Sequence, residues 1–82
     1  MLLTIDVGNT YLSFGLFLNE KIKEVSFFHT KKFMENNESL ESLKVFKNRK
    51  ISHVIICSVV DEVNYNLLYF LKKKKITIYI FE

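Results

Sequence analysis

The stretch Leu2 to Thr10, Leu-Leu-Thr-Ile-Asp-Val-Gly-Asn-Thr, constrains this chain more than any other. An apolar run carries an acid near its end and passes a glycine, and a second apolar run starts at once. A period of two puts Leu3, Ile5 and Val7 on one face of a strand, and Thr4 and Asp6 on the other. Asp6 therefore arrives at the carboxyl end of the strand, beside a turn. Gly8 permits a sharp turn or a close approach of backbone to a ligand. Asn9 and Thr10 add an amide and a hydroxyl. Amides and a hydroxyl suit an anion such as a phosphate chain, and a carboxylate suits its magnesium or the waters on it. A plain hairpin turn of Gly-Asn type that follows an Asp accounts for the same residues.

In Tyr11 to Leu18, Leu12, Phe14, Leu16 and Leu18 alternate with Tyr11, Ser13, Gly15 and Phe17, which predicts a second strand. Gly15 leaves room for something to approach the sheet. Asn19-Glu20 reads as a tight turn because Asn tolerates positive φ. Lys21 to His29 is then a third, antiparallel strand, and Thr30 to Glu35 a loop. A cap at Asn36 or Asn37, with Glu38 in the first turn, predicts a helix of roughly three turns carrying Leu40, Leu43 and Phe46. Ile51 to Val60 is apolar almost throughout and reads as a strand buried on both faces, with Cys57 packed as a small hydrophobe. Asp61 caps a second helix with Val63, Leu67, Phe70 and Leu71 on one stripe. Lys72 to Lys75 close that helix, and Ile76 to Phe81 is the last strand. The predicted fold class is α/β: a mixed five-stranded sheet with two helices, ordered β-β-β-α-β-α-β in a ribonuclease H-like layout, forming one domain over residues 1–82. Its core includes Ile5, Val7, Phe14, Leu16, Leu43, Phe46, Val54, Ile56, Leu67, Phe70 and Ile78.

Composition excludes several classes. With 82 residues the chain is one small domain or a piece of a larger protein, and 49% hydrophobic against 26% charged residues is globular rather than disordered. Much of the net charge of +3 comes from the run Lys72 to Lys75. That run reads as a solvated helix end, so neither nucleic acid nor membrane is an expected partner. The single cysteine, Cys57, rules out a disulfide within the chain and fits a reducing compartment. No apolar run approaches the ~20 residues of a membrane span, and Asp6 interrupts the N-terminal run too early for a signal peptide. A cytoplasmic protein is expected. His29 and His53 have no partner at metal-ligand spacing and read as a strand-end and a loop-to-strand residue.

Asp6-Val7-Gly8-Asn9-Thr10, followed by Phe14-Gly15-Leu16-Phe17, resembles the opening of type III pantothenate kinases, members of the acetate kinase, sugar kinase, Hsp70 and actin superfamily. Ile55-Ile56-Cys57-Ser58-Val59-Val60 resembles that family's apolar strand ending in Ser-Val-Val-Pro, with Asp61 in the place of the Pro. Tyr11 stands where most members carry Asn. The resemblance runs along the whole chain but covers only the first part of the family's length. It implies an N-terminal kinase lobe and the ATP-dependent phosphorylation of pantothenate, the first step of coenzyme A biosynthesis. It also implies ATP, Mg2+ and a monovalent cation such as K+ as cofactors. It assigns ATP-phosphate binding to Asp6, Gly8, Asn9 and Thr10, with Asp6 orienting magnesium-bound water, and places Ser58 and Val59 at the substrate or phosphate crevice. Thr30, Lys31 and Lys32 fall where relatives place a Thr followed by a charged pair, and receive no role. The family's Gly-x-Asp-Arg segment, which carries the base and binds pantothenate, does not occur here, nor does its second phosphate loop, Asp-x-Gly-Thr. The expectation is a truncated or split kinase whose chain holds no catalytic residue. A separate C-terminal half or a dimer partner would complete it, and self-association of this lobe alone would be weak.

Two other classes fit the same layout. A ribonuclease H-like nuclease would place metal-binding carboxylates at Asp6, at Glu38 or Glu41, and at Asp61. The Gly8-Asn9-Thr10 loop and the Ser-Val-Val run have no part in that chemistry. A degenerate kinase lobe kept as a non-catalytic partner or regulator is the third.

Overall fold

In a computed structural model of the chain, which describes residues 1–47, 49–58 and 60–81, nine short elements build one sheet and one helical layer. The strands are β1 (Leu2–Val7), β2 (Tyr11–Leu18), β3 (Lys21–His29), β4 (His53–Ser58) and β5 (Thr77–Phe81). The helices are α1 (Thr30–Glu35) and α2 (Asp61–Lys72), and two 3₁₀ segments, Asn37–Ser42 and Lys44–Phe46, lie between α1 and β4. The strand order is β3-β2-β1-β4-β5. β1 pairs antiparallel with β2 and parallel with β4; β2–β3 is antiparallel and β4–β5 parallel. This is the mixed five-stranded α/β sheet expected of a ribonuclease H-like layout.

The first three strands have the predicted bounds because their signals are local. Asn19 and Glu20 take φ of 51° and 68°, the two-residue hairpin turn whose twist matches the flanking strands. Alternation then decides burial: Leu3, Ile5, Val7, Leu12, Phe14 and Leu16 are buried, joined from β4 by Val54 and Ile56. The helical layer closes this face with Phe33, Leu40, Val45, Val63, Leu67, Phe70 and Leu71. Leu43, Phe46 and Ile78 pack against that cluster, half-buried. Phe46 stands edge-on to Phe14 and to Phe70 at 5.9 and 5.3 Å between centroids. Lys74 lies over both Phe46 and Phe70 and ion-pairs with Glu41 at 2.6 Å.

Four expectations need correction. Thr30 to Glu35 is a helix, not a loop, and its Phe33 is wholly buried. A helix this short supplies too few apolar residues for a period to show. Beyond it, the predicted three-turn α-helix is replaced by the two 3₁₀ segments, separated by Leu43 in extended backbone. Asn36 does cap the first of them, its Oδ1 accepting from the Glu38 amide at 3.1 Å. The serines then explain the tighter winding: Ser39 Oγ donates to Asn36 O and Ser42 Oγ to Ser39 O, at 2.6 and 2.8 Å. Bonds three residues back favour three residues per turn, and the spacing of Leu40, Leu43 and Phe46 is that same period. Asp61 is the first residue of α2 and not its cap, a position held by Val60 with no side-chain bond. Finally, β4 is buried on one face only, with His53 and Cys57 exposed and Ile55 half-buried.

The second face of the sheet is therefore open. It carries Thr4, Asp6, Tyr11, Ser13, Gly15, Phe17, Val25, Phe27, His29, Ile55, Cys57, Tyr79 and Phe81, and Asp6 is the one acid or base with a fixed charge among these thirteen. The room left by Gly15 is filled from within: a Cβ there would meet Thr4 Oγ1 at 2.9 Å and the Phe17 ring at 3.2 Å. No helix among the described residues is long and apolar enough to cross a membrane.

Urea unfolding checks this layering. Phe33→Ala is expected to cost about 3–5 kcal/mol, the cost of emptying a packed aromatic site. Phe27→Thr, on the open face where Phe27 keeps 64% of its surface exposed, is expected to change stability by less than about 0.5 kcal/mol. Glu20→Gly removes a left-handed strain and is expected to add about 1 kcal/mol.

Candidate functional site

The last residues of β1 diverge. Val7 points into the core, paired with Leu12 on one side and Ser58 on the other. Asp6 points to the open face, exposed, between Ser13 of β2 and Cys57 of β4. It forms no ion pair among the described residues. The chain then turns through Gly8, Asn9 and Thr10, all exposed, into β2.

Three hydrogen bonds shape this turn. The Gly8 amide donates to Tyr11 O at 2.9 Å and closes the loop on itself. Thr30 Oγ1 donates to Gly8 O at 2.8 Å, and the Thr30 amide donates to Thr10 O at 2.9 Å. Gly8 has no positive φ, so its conformational freedom is not what the turn uses. Space is: a Cβ on Gly8 would lie 2.9 Å from Tyr11 O, the very acceptor of its own amide. The close approach expected at Gly8 is thus made by Tyr11 backbone. Among the described residues no internal hydrogen bond engages the amides of Asn9 and Thr10 or the side chains of either. These groups, rather than the Gly8 amide, are the loop's free donors. Tyr11 and His29 stand side by side at the same end of the open face, ring centroids 4.7 Å apart.

Ser58 lies one strand over but faces the other way. It is buried at 5% exposure, and its hydroxyl accepts from the Val60 amide at 3.0 Å, holding the turn into α2. Asp6 and Ser58 thus end neighbouring strands and present their side chains to opposite faces of the sheet. Val59 lies outside the described residues. Asp61 and Glu62 are exposed in the first turn of α2. The Val63 and Asn64 amides there both bond Val60 O, so they are not free for an anion.

The residue that sequence reasoning left without a role is Thr30. It is 6% exposed and contacts the loop from 22 positions away. Its place after the third strand was legible; its bonds were not, because nothing local signals them.

The carboxylates required for a two-metal site do not meet. Glu38 and Glu41 pair with Lys73 and Lys74 at 3.8 and 2.6 Å, near the end of α2 that lies furthest from Asp6. Among the described residues no three His, Cys, Asp or Glu side chains gather to hold a metal ion. One exposed carboxylate beside free amides and a hydroxyl fits magnesium that arrives already coordinated by phosphate and water, since Mg2+ keeps several waters and takes one or two carboxylates.

The curated type III pantothenate kinase of Flavobacterium psychrophilum is 39% identical over 59 residues, 72% of this chain. That match covers 23% of the relative, so the chain spans about a quarter of its length. The model of a family described as type III pantothenate kinase matches residues 2–82. The match takes in all but the first residue, and the chain belongs to the type III pantothenate kinase family.

Proposed function

We propose that this chain is the ATP-phosphate-binding lobe of a pantothenate kinase, acting in ATP-dependent phosphorylation of pantothenate at the start of coenzyme A biosynthesis. The observation that carries the reading is an exposed Asp6 beside an exposed loop whose Asn9 and Thr10 amides take no hydrogen bond among the described residues. ATP supplies the transferred phosphoryl group, and Mg2+ offsets the charge on its oxygens. In such transfers the protein mainly positions groups and neutralises charge. Asn9 and Thr10 offer N–H donors and a hydroxyl to phosphate oxygens. Asp6 orients water bound to the metal and attacks nothing. Gly8 contributes the narrow turn that brings its neighbours forward. Ser58 borders the crevice at the end of β4, where ligands of open α/β sheets sit; the same assignment for Val59 falls outside the described residues. For Ser58 this is a shaping role, because its hydroxyl is engaged with Val60.

The general base, the pantothenate pocket and the second phosphate loop come from a second lobe. The Gly-x-Asp-Arg and Asp-x-Gly-Thr segments are not in this sequence. The ion pairs disfavour a nuclease reading, since Glu38 and Glu41 are paired with lysines away from Asp6.

Half a clamp orders few groups of the nucleotide and leaves most of it in water. Mg-ATP affinity is expected in the millimolar range, about −4 kcal/mol. In an NMR titration, the amides of residues 8–11 are expected to move first, followed by residues 58–60, while Lys72 to Lys75 respond only nonspecifically. A response confined to the lysines contradicts the loop assignment. Asp6→Asn is expected to remove the magnesium-dependent part of binding and leave the melting temperature unchanged. The purified chain is expected not to phosphorylate pantothenate, and addition of a C-terminal half to restore turnover. Turnover by the chain alone, lost in Asp6→Ala, would show that the second lobe is not required.

A further inference from the structure

The loop at Gly8 has a conformational weakness. The peptide unit between Gly8 and Asn9 is planar and trans, so its C=O and N–H point in opposite directions. Rotating that unit about its flanking bonds would turn the Asn9 N–H inward and the Gly8 C=O outward. Glycine resists such a rotation less than any other residue, and Gly8 is required here by the close Tyr11 carbonyl. The flipped loop would offer a carbonyl oxygen to an anion in place of a donor.

One side chain opposes the flip. The buried Thr30 hydroxyl holds Gly8 O at 2.8 Å, and the Thr30 amide holds Thr10 O at 2.9 Å. Both bonds draw carbonyls of the loop inward, toward the start of α1. By peptide planarity, the first of them turns the Asn9 N–H away from Thr30. We infer that Thr30 is the positioning residue of the phosphate loop: its hydroxyl locks the Gly8–Asn9 peptide in the orientation that presents a donor to phosphate. This rests on the reading of the loop as phosphate-binding. It adds to that reading a residue outside the loop that sets the loop's polarity without touching the ligand.

The experiment compares Thr30→Val, which keeps the shape and removes the hydroxyl, with Thr30→Ser, which keeps the hydroxyl. Thr30→Ala is a second hydroxyl-free variant and is read in the same way should Val perturb the fold. All are made in the 82-residue chain. Two readouts are taken by NMR: exchange of the Gly8 and Asn9 amides without ligand, and titration with Mg-ATP. The hydroxyl-free variants are expected to exchange the Gly8 amide at least tenfold faster and to bind Mg-ATP at least tenfold more weakly. The amides of Leu3 and Ile56 report an intact sheet. Thr30→Ser is expected to stay within about threefold of the parent on both readouts. Unchanged exchange and unchanged binding in Thr30→Val and Thr30→Ala would overturn the inference. So would equal losses in Thr30→Ser, which would assign the effect to the methyl group and its packing. A parent chain that does not respond to Mg-ATP defeats the phosphate-loop reading alone, while amide exchange still decides whether Thr30 holds the loop.

Discussion

Everything in this lobe depends on β1 being hydrogen-bonded on both sides. It is antiparallel to β2 through a three-residue turn and parallel to β4 across a connection that holds the whole β3, α1 and 3₁₀ region. The antiparallel side is local and needs only a turn. The parallel side requires a long crossover, and α1 with the two 3₁₀ segments is the part of it folded back on the sheet. Because both neighbours are in register, the end of β1 is held on either side, and Asp6 is held with it. A loop carried by such a strand inherits its rigidity, which a site built for positioning requires.

The same register separates two kinds of chemistry. Core side chains and the Ser58 hydroxyl point toward the helices, where polar atoms must find internal partners, and Ser58 finds one in the Val60 amide. Asp6 points away from them, and among the described residues no protein group bonds the Asn9 and Thr10 amides. The division follows from the two-residue period of strands, not from the individual residues: Val7 and Ser58 share one face and Asp6 and Cys57 the other because each pair is in register across β1 and β4. Around Asp6 that face is made of Thr4, Ser13, Cys57 and aromatic side chains, none of which carries a fixed charge.

The loop itself is assembled from both directions. Gly8 satisfies its own amide within the turn, and Thr30, arriving from the end of β3, takes two of the carbonyls. The groups left over are donors. On the proposed reading, that asymmetry is what would let an exposed turn take an anion without any basic side chain, since a patch of oriented amides carries fixed partial positive charge.

The sequence by itself determined the strands β1, β2 and β3, the apolar stripe of α2 and the face on which Asp6 emerges. Alternation, hairpin-turn residues and helical spacing are local patterns, and each is written in a few consecutive residues. It also carried the two family motifs, because the loop and the strand end are contiguous segments. The tertiary structure alone decided the rest. Residues 30–35 form a helix whose Phe33 is wholly buried in the core, a contact no local pattern announces. Residues 37–42 wind as 3₁₀ because serine and asparagine side chains bind the backbone three and two residues away. Cys57 is exposed because no element of the described chain covers its face. Thr30 meets Gly8 because the β2–β3 hairpin returns the chain beside its own first turn. A hydrogen bond between residues 22 positions apart is a property of the folded path, and no local pattern in the sequence encodes it.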